Sequence, residues 1–196
     1  MFKIKQELNN AIRYKTRLCV KGFQQAPGVD KNKSFSPVAC SSTIAILLST
    51  TLHMEDQGWT SEIFDVEAVF LNAELEKPMY LEWPKPMREL GFITKEREEE
   101  KYIKLVRSMY GNVDAALSWQ KTFINLCTNK EIKCVQTNID PCMLYKKDEK
   151  RKLRLIISVY VDDVLISGRE IDIREFKETC KKTYKITDLG QLKRVT

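Results

Sequence analysis

The chain has 196 residues, 43% hydrophobic and 31% charged, with a net charge of +6, enough for one large globular domain or one and a half small ones. No apolar run reaches the roughly 20 residues of a membrane span, and Met1-Phe2-Lys3-Ile4-Lys5-Gln6 lacks the apolar centre of a signal peptide, so an intracellular protein with no membrane partner is expected. Six cysteines without CxxC spacing, and His53 as the only histidine, argue against a zinc site or a Ser-His-Asp triad and predict reduced, mostly buried thiols.

Residues 2 to 6 read as a short strand and Arg13 to Phe23 as a second, joined at Asn9-Asn10. Lys3, Lys5, Arg13, Lys15, Arg17 and Lys21 make this stretch basic, which suits a polyanion partner without requiring one. Arg17 and Lys21 share strand parity and can face one anion, although on the spacing alone an ordinary solvated basic strand is the better reading. A loop at 24 to 37 follows, marked by Pro27-Gly28 and Ser36-Pro37. Ile44, Leu47, Leu48 and Leu52 then recur at helical spacing from Ser42 to about Met54, with Ser41 or Ser42 as cap and His53 at the surface.

After Gly58-Trp59 a strand runs from Ser61 to Val66, placing Asp65 at its end, and Ala68 to Leu71 turn back toward a core. An acid among Ile63, Phe64 and Val66 needs a partner if buried, so Asp65 is either an ordinary salt-bridge or cap residue or part of a site. A short strand at Met79 to Glu82 and a polar stretch at 88 to 100, with the acidic run Glu96 to Glu100, precede a strand at Tyr102 to Val106. A helix is expected from about Ala115 to Lys130, capped by Asp114, with Ala116, Trp119, Phe123, Leu126 and Cys127 on one face. A turn at Asn138 to Pro141, a strand at Cys142 to Lys146 and a last amphipathic helix at Ile171 to Tyr184 complete the reading.

The chain is organised around Leu153 to Gly168. Leu153, Leu155, Ile157, Val159 and Val161 form an apolar face, and Arg154, Ser158, Tyr160 and Asp162 a largely polar one, predicting a hairpin between a core and a wet cleft. Asp162 and Asp163 fall at its tip. Taken alone this is equally a solvated Asp-Asp turn. Adjacent carboxylates repel, however, and a hard divalent cation held by oxygen ligands relieves that. No Gly or Asn relaxes the turn, so Val161 in a central position is expected to be strained. Asp65, brought beside the tip, would complete a three-carboxylate site.

YVDD at 160 to 163, FDVEAVFLNAEL at 64 to 75, YKTRLCVKGF at 14 to 23, FSPV at 35 to 38, SMYG at 108 to 111, DPCMLY at 140 to 145 and DLGQLK at 188 to 193 stand in one order. Together they resemble the reverse transcriptase domain of copia-type long-terminal-repeat retrotransposons over nearly the whole chain. The resemblance implies an α+β fold: a right-hand polymerase palm, an antiparallel sheet with helices on one face, at 56 to 196. It also implies partial fingers at 1 to 55 and a polar insertion around 86 to 101. The chain is read as truncated before the thumb, with no connection, RNase H, protease or integrase region.

The activity implied is RNA-directed DNA polymerisation, with Asp65, Asp162 and Asp163 catalytic and, together with Val66, at the metals. The cofactors implied are two magnesium ions, with manganese as a substitute. The partners are an RNA or DNA template with primer, deoxynucleoside triphosphates and the rest of the retroelement polyprotein; the location is the cytoplasm, in virus-like particles, or the nucleus. Arg17 matches the arginine that meets the triphosphate, with Lys21 and Lys15 assisting, and Phe70 matches the ring that blocks a ribose 2′ hydroxyl. Val161 and Tyr160 fall where the primer end and nucleotide are contacted. Asp114 stands where the family commonly has a glutamine, Cys40 and Ala45 where arginines are frequent, and Ala73 in place of a glycine. The alternative reading is a catalytically silent remnant that keeps the fold and at most binds nucleic acid weakly. An unrelated α+β binding module with an acidic hairpin is the third.

Overall fold

A computed structural model describes residues 2–6, 12–26, 28, 35–93 and 101–192. The expected turn at Asn9-Asn10, Pro27 and residues 29–34 of the expected loop, and the acidic run at Glu96 to Glu100 lie outside the described residues. The order is β1 (Phe2–Gln6), β2 (Ile12–Thr16), α1 (Ser41–His53), β3 (Trp59–Val66), α2 (Val69–Asn72), β4 (Glu74–Glu82), α3 (Lys85–Glu89), β5 (Tyr102–Arg107) and α4 (Ala115–Thr128). It continues with β6 (Val135–Gln136), β7 (Met143–Lys147), β8 (Leu153–Tyr160), β9 (Asp163–Arg169), α5 (Glu170–Thr183) and β10 (Ile186–Gln191). β1 and β2 pair as one antiparallel two-stranded sheet, β4 and β5 as another, and a six-stranded sheet in the order β10-β3-β9-β8-β7-β6 is antiparallel at every pairing.

The main core lies on one face of that sheet. Leu155, Ile157 and Val159 of β8, Val164 and Ile166 of β9 and Phe64 and Val66 of β3 meet Trp119, Phe123 and Cys127 of α4 and Ile173, Phe176 and Cys180 of α5. Successive strand residues point to opposite faces, so these alternate positions converge on the helices. On α4, Trp119, Phe123 and Cys127 follow at i, i+4 spacing and make one buried stripe. Ala115 and Ile124 are buried as well, while Ala116 and Leu126 are only partly covered. In α5, Glu170 and Asp172 sit in the first turn and Lys181 and Lys182 in the last, matching the helix dipole.

The expectation of helices on one face of the sheet, with a wet cleft along the other face of β8, is corrected. Ile156 and Ser158, on the opposite side of β8, are buried too. Leu47 of α1 packs there with Trp59 and Ile156, so helices cover both faces. Beneath α1 small hydroxyls bond to one another: Ser61 Oγ lies 2.7 Å from Ser167 Oγ and donates to Thr51 Oγ1 at 3.0 Å. Such pairing removes the cost of burying a hydroxyl. Between Leu155 and Gly168 only Tyr160, Asp162 and Asp163, at the tip of the hairpin, are exposed.

Other boundaries shift. α1 begins one residue early and is capped by neither Ser41 nor Ser42. Cys40 is its N-cap, and the Asp140 carboxylate accepts the Cys40 N–H at 3.0 Å and the Thr43 hydroxyl. β4 starts at Glu74 rather than Met79, and β6 is an additional two-residue strand. All six cysteines are free thiols, four buried and Cys19 and Cys40 exposed. Burial pushes Cys134 and Cys180 up to about 12 and Cys142 to about 11. No helix among the described residues is long and apolar enough to cross a membrane.

Candidate active site

Asp65 is the penultimate residue of β3 and Asp163 the first of β9. In the antiparallel register Asp65 faces Asp163 directly, and Tyr160 of β8 faces Asp163 from the other side. Directly opposed residues project from the same face. The two acids therefore share the sheet face turned away from α4 and α5, as the alternation from buried Phe64 and Val164 requires. Asp65 is partly buried, whereas Asp162, Asp163 and Tyr160 are exposed.

Asp162 occupies the turn, and its carbonyl accepts the Val66 N–H at 2.8 Å, so the tip is hydrogen-bonded to the end of β3. Val161 has φ +54, the left-handed conformation expected to be costly for a β-branched residue. Trp119, buried in α4, donates its indole N–H to the Val161 carbonyl at 2.6 Å and holds that turn. Ala68, three residues past Asp65, also has a positive φ, +55, and turns the chain into α2. Partial burial, and next the charge of Asp162, raise the Asp163 carboxyl above its ordinary value. Among the described residues no group of three His, Cys, Asp or Glu side chains is gathered to hold a metal ion. The register unites Asp65 with Asp163 along the backbone, and Asp162 joins them through the turn.

The other predicted residues fall around the N-terminal segment. The single strand expected from Arg13 to Phe23 is corrected: β2 ends at Thr16, Cys19 forms an isolated parallel bridge with Tyr110, and a 3₁₀ turn covers Gly22–Gln24. Arg17 and Lys21 thus share no strand. The reason is steric, since a Cβ on Gly22 would lie 2.0 Å from the Gly111 carbonyl oxygen, and the chain leaves the ladder to make that crossing. Gly111 itself has φ +85. Val20 N–H donates to the Tyr110 carbonyl at 2.7 Å, and Val113 N–H to Gln25 Oε1 at 2.8 Å. Lys21 is exposed. The Arg17 guanidinium lies over the Tyr110 ring, 5.4 Å from its centroid, and Phe70 of α2 meets the same ring edge-on at 5.2 Å. Asp114 is the N-cap residue of α4, but its side chain makes no capping hydrogen bond.

A family description matches residues 1–195: reverse transcriptase (RNA-dependent DNA polymerase). The chain belongs to this family. It is similar to a retrovirus-related Pol polyprotein from transposon TNT 1-94 of Nicotiana tabacum, 30% identical over 100% of this chain and 14% of that polyprotein. It is also similar to those from transposons RE2 and RE1 of Arabidopsis thaliana, 32% and 33% identical over 81% of this chain and 10% of each. The reverse transcriptase chain described here thus spans about a seventh or less of these polyproteins, and the copia-type resemblance stands. No solved structure gives a significant match.

Two contributors escaped the sequence reading. Trp119 read only as core, because nothing local reveals that its N–H reaches a turn 42 residues later. Tyr110 belonged to the SMYG motif, but its contacts to Arg17 and Phe70 exist only in the fold.

Proposed function

We propose that this reverse transcriptase chain carries the catalytic carboxylates of an RNA-directed DNA polymerase, Asp65, Asp162 and Asp163, with the six-stranded sheet as palm and residues 1 to 55 as partial fingers. The observation that supports this best is the register that sets Asp65 opposite Asp163, with Asp162 hydrogen-bonded through its carbonyl to Val66. The donors suit the metal chemistry. Three carboxylates and the neighbouring Val66 peptide are hard oxygen ligands, which magnesium prefers and manganese accepts. The two carboxylates at the tip are exposed and free to change rotamer toward Asp65.

Divalent ions held there by Asp65, Asp162 and Asp163 would supply the Lewis acidity for a primer 3′ hydroxyl to attack and for the charge of a leaving pyrophosphate. The residues of the chain position the reactants. In this reading Asp65, Asp162 and Asp163 hold the ions, Arg17 takes the triphosphate with Lys21 near it, Phe70 borders the sugar, and Val161 and Tyr160 face the primer end. Asp114 stands at the head of α4 on the triphosphate side. The substrates are deoxynucleoside triphosphates and a primed RNA or DNA template, and the rest of the polyprotein supplies the parts beyond palm and fingers.

Primer extension on an RNA template with magnesium tests this. The chain, alone or rejoined to the sequence that follows it in its polyprotein, should extend the primer, and Asp162→Asn or Asp65→Asn should reduce extension to the no-enzyme level. Extension by neither form overturns the proposal in favour of a silent remnant, and undiminished extension by Asp162→Asn overturns the assignment of the site.

A further inference from the structure

Tyr110 is the point where three segments meet. Its ring carries the Arg17 guanidinium on its face and the Phe70 ring at its edge, with an interplanar angle of 79°. Its backbone is pinned by the Cys19 bridge and by the Val20 N–H. The next residue, Gly111, would bring a Cβ within 2.2 Å of the Val20 carbonyl oxygen, so no side chain fits there and the crossing is rigid. The ring therefore stands on a fixed base.

We propose that Tyr110 is a positioning residue that sets deoxyribonucleotide selectivity by holding Arg17 and Phe70 at one separation; this rests on the polymerase reading above. A nucleoside triphosphate offers an anionic tail and a sugar a fixed distance apart. Arg17 meets the tail and Phe70 the sugar, so discrimination at the 2′ carbon requires that a nucleotide anchored by its phosphates cannot slide away from the Phe70 ring. The cation–π contact locates the guanidinium and the edge-on contact locates the ring. Both run through one phenol side chain. Without it, the two side chains lose the contact they share, and the phosphate anchor no longer registers the sugar against the gate.

The test is equilibrium binding of dATP and ATP, with magnesium, to the chain, alone and rejoined to the sequence that follows it in its polyprotein, on an RNA template whose primer ends in a dideoxynucleotide, so that no turnover occurs. Wild type should prefer dATP. Tyr110→Phe keeps the ring and should keep the preference. Tyr110→Ala should weaken dATP binding about tenfold, the scale of a lost cation–π anchor, and bring the dATP-to-ATP affinity ratio close to one. A variant that merely folds less well lowers the bound fraction for both nucleotides and leaves their ratio unchanged. An unchanged ratio in Tyr110→Ala, beside a discriminating wild type, overturns the role of Tyr110 and leaves the polymerase reading standing. Loss of the preference in Tyr110→Phe overturns it as well, since the hydroxyl and not the ring would then matter. No nucleotide binding by either form of wild type overturns the polymerase reading itself, and the inference with it.

Discussion

Trp119 is 1% exposed, and its indole N–H, which would be costly to bury unpaired, finds its acceptor in the carbonyl of a strained residue. The strain at Val161 was legible in the sequence because no glycine or asparagine occupies the tip; the device that holds it was not, because it comes from another element. Trp119→Phe keeps the ring in the core beside Phe123 and Tyr184 and removes only the donor. The expected loss is about 1 to 2 kcal/mol of unfolding free energy, read from a urea midpoint. Hydrogen exchange at the Val66 amide, which bonds to Asp162, should accelerate with it. A protein as stable as wild type, with unchanged exchange there, would show that the indole hydrogen bond does not hold the turn.

At the scale of elements, α1 shows how a local cap rule is overridden. Ser41 and Ser42 are good capping types, yet the carboxylate that binds the helix start belongs to Asp140, 100 residues on. Asp140 also accepts the Cys142 N–H at 2.8 Å, so one side chain ties α1 to the start of β7. Burial alone would raise its carboxyl, but the bonds from Thr43, Cys40 and Cys142 outweigh it and hold the group below its ordinary value. Asp140→Asn turns an amide NH₂ toward a donor and should cost about 2 kcal/mol. A depressed carboxylate contributes stability above its unfolded value and loses it as pH falls through the folded value. The gap between wild type and Asp140→Asn, measured by denaturant melts, should therefore be constant near neutral pH and shrink below the ordinary aspartate range. A gap independent of pH down to that range and beyond would contradict the carboxylate's role.

Across the whole molecule, Lys177 of α5 is 5% exposed and bonded to Glu62 of β3 and, at 2.7 Å, to Asp188 of β10. One ammonium group thereby fastens the edge strand, its neighbour and the covering helix. The hydrogen bond from Lys177 is the first cause of the lowered Asp188 carboxyl. Lys177→Met fills the space with similar volume but strands a partly buried Glu62, and about 3 kcal/mol of destabilisation is expected. Glu62→Gln in the same chain should recover part of it, as a double-mutant cycle would show. A Lys177→Met protein as stable as wild type would mean that the ion pairs are incidental to the joint.

The sequence by itself determined the motif order, the family and most elements, because hydrophobic period and turn chemistry are local properties. It placed Asp65 at a strand end and Asp162 and Asp163 at a hairpin tip for the same reason. The tertiary structure alone decided that β3 lies beside β9 in the register opposing Asp65 to Asp163, that α1 covers the second face of the sheet, and that Tyr110 joins Arg17 to Phe70. These depend on which distant segments meet, and strand order and close backbone crossings such as Gly22 on Gly111 leave no periodic trace along the chain.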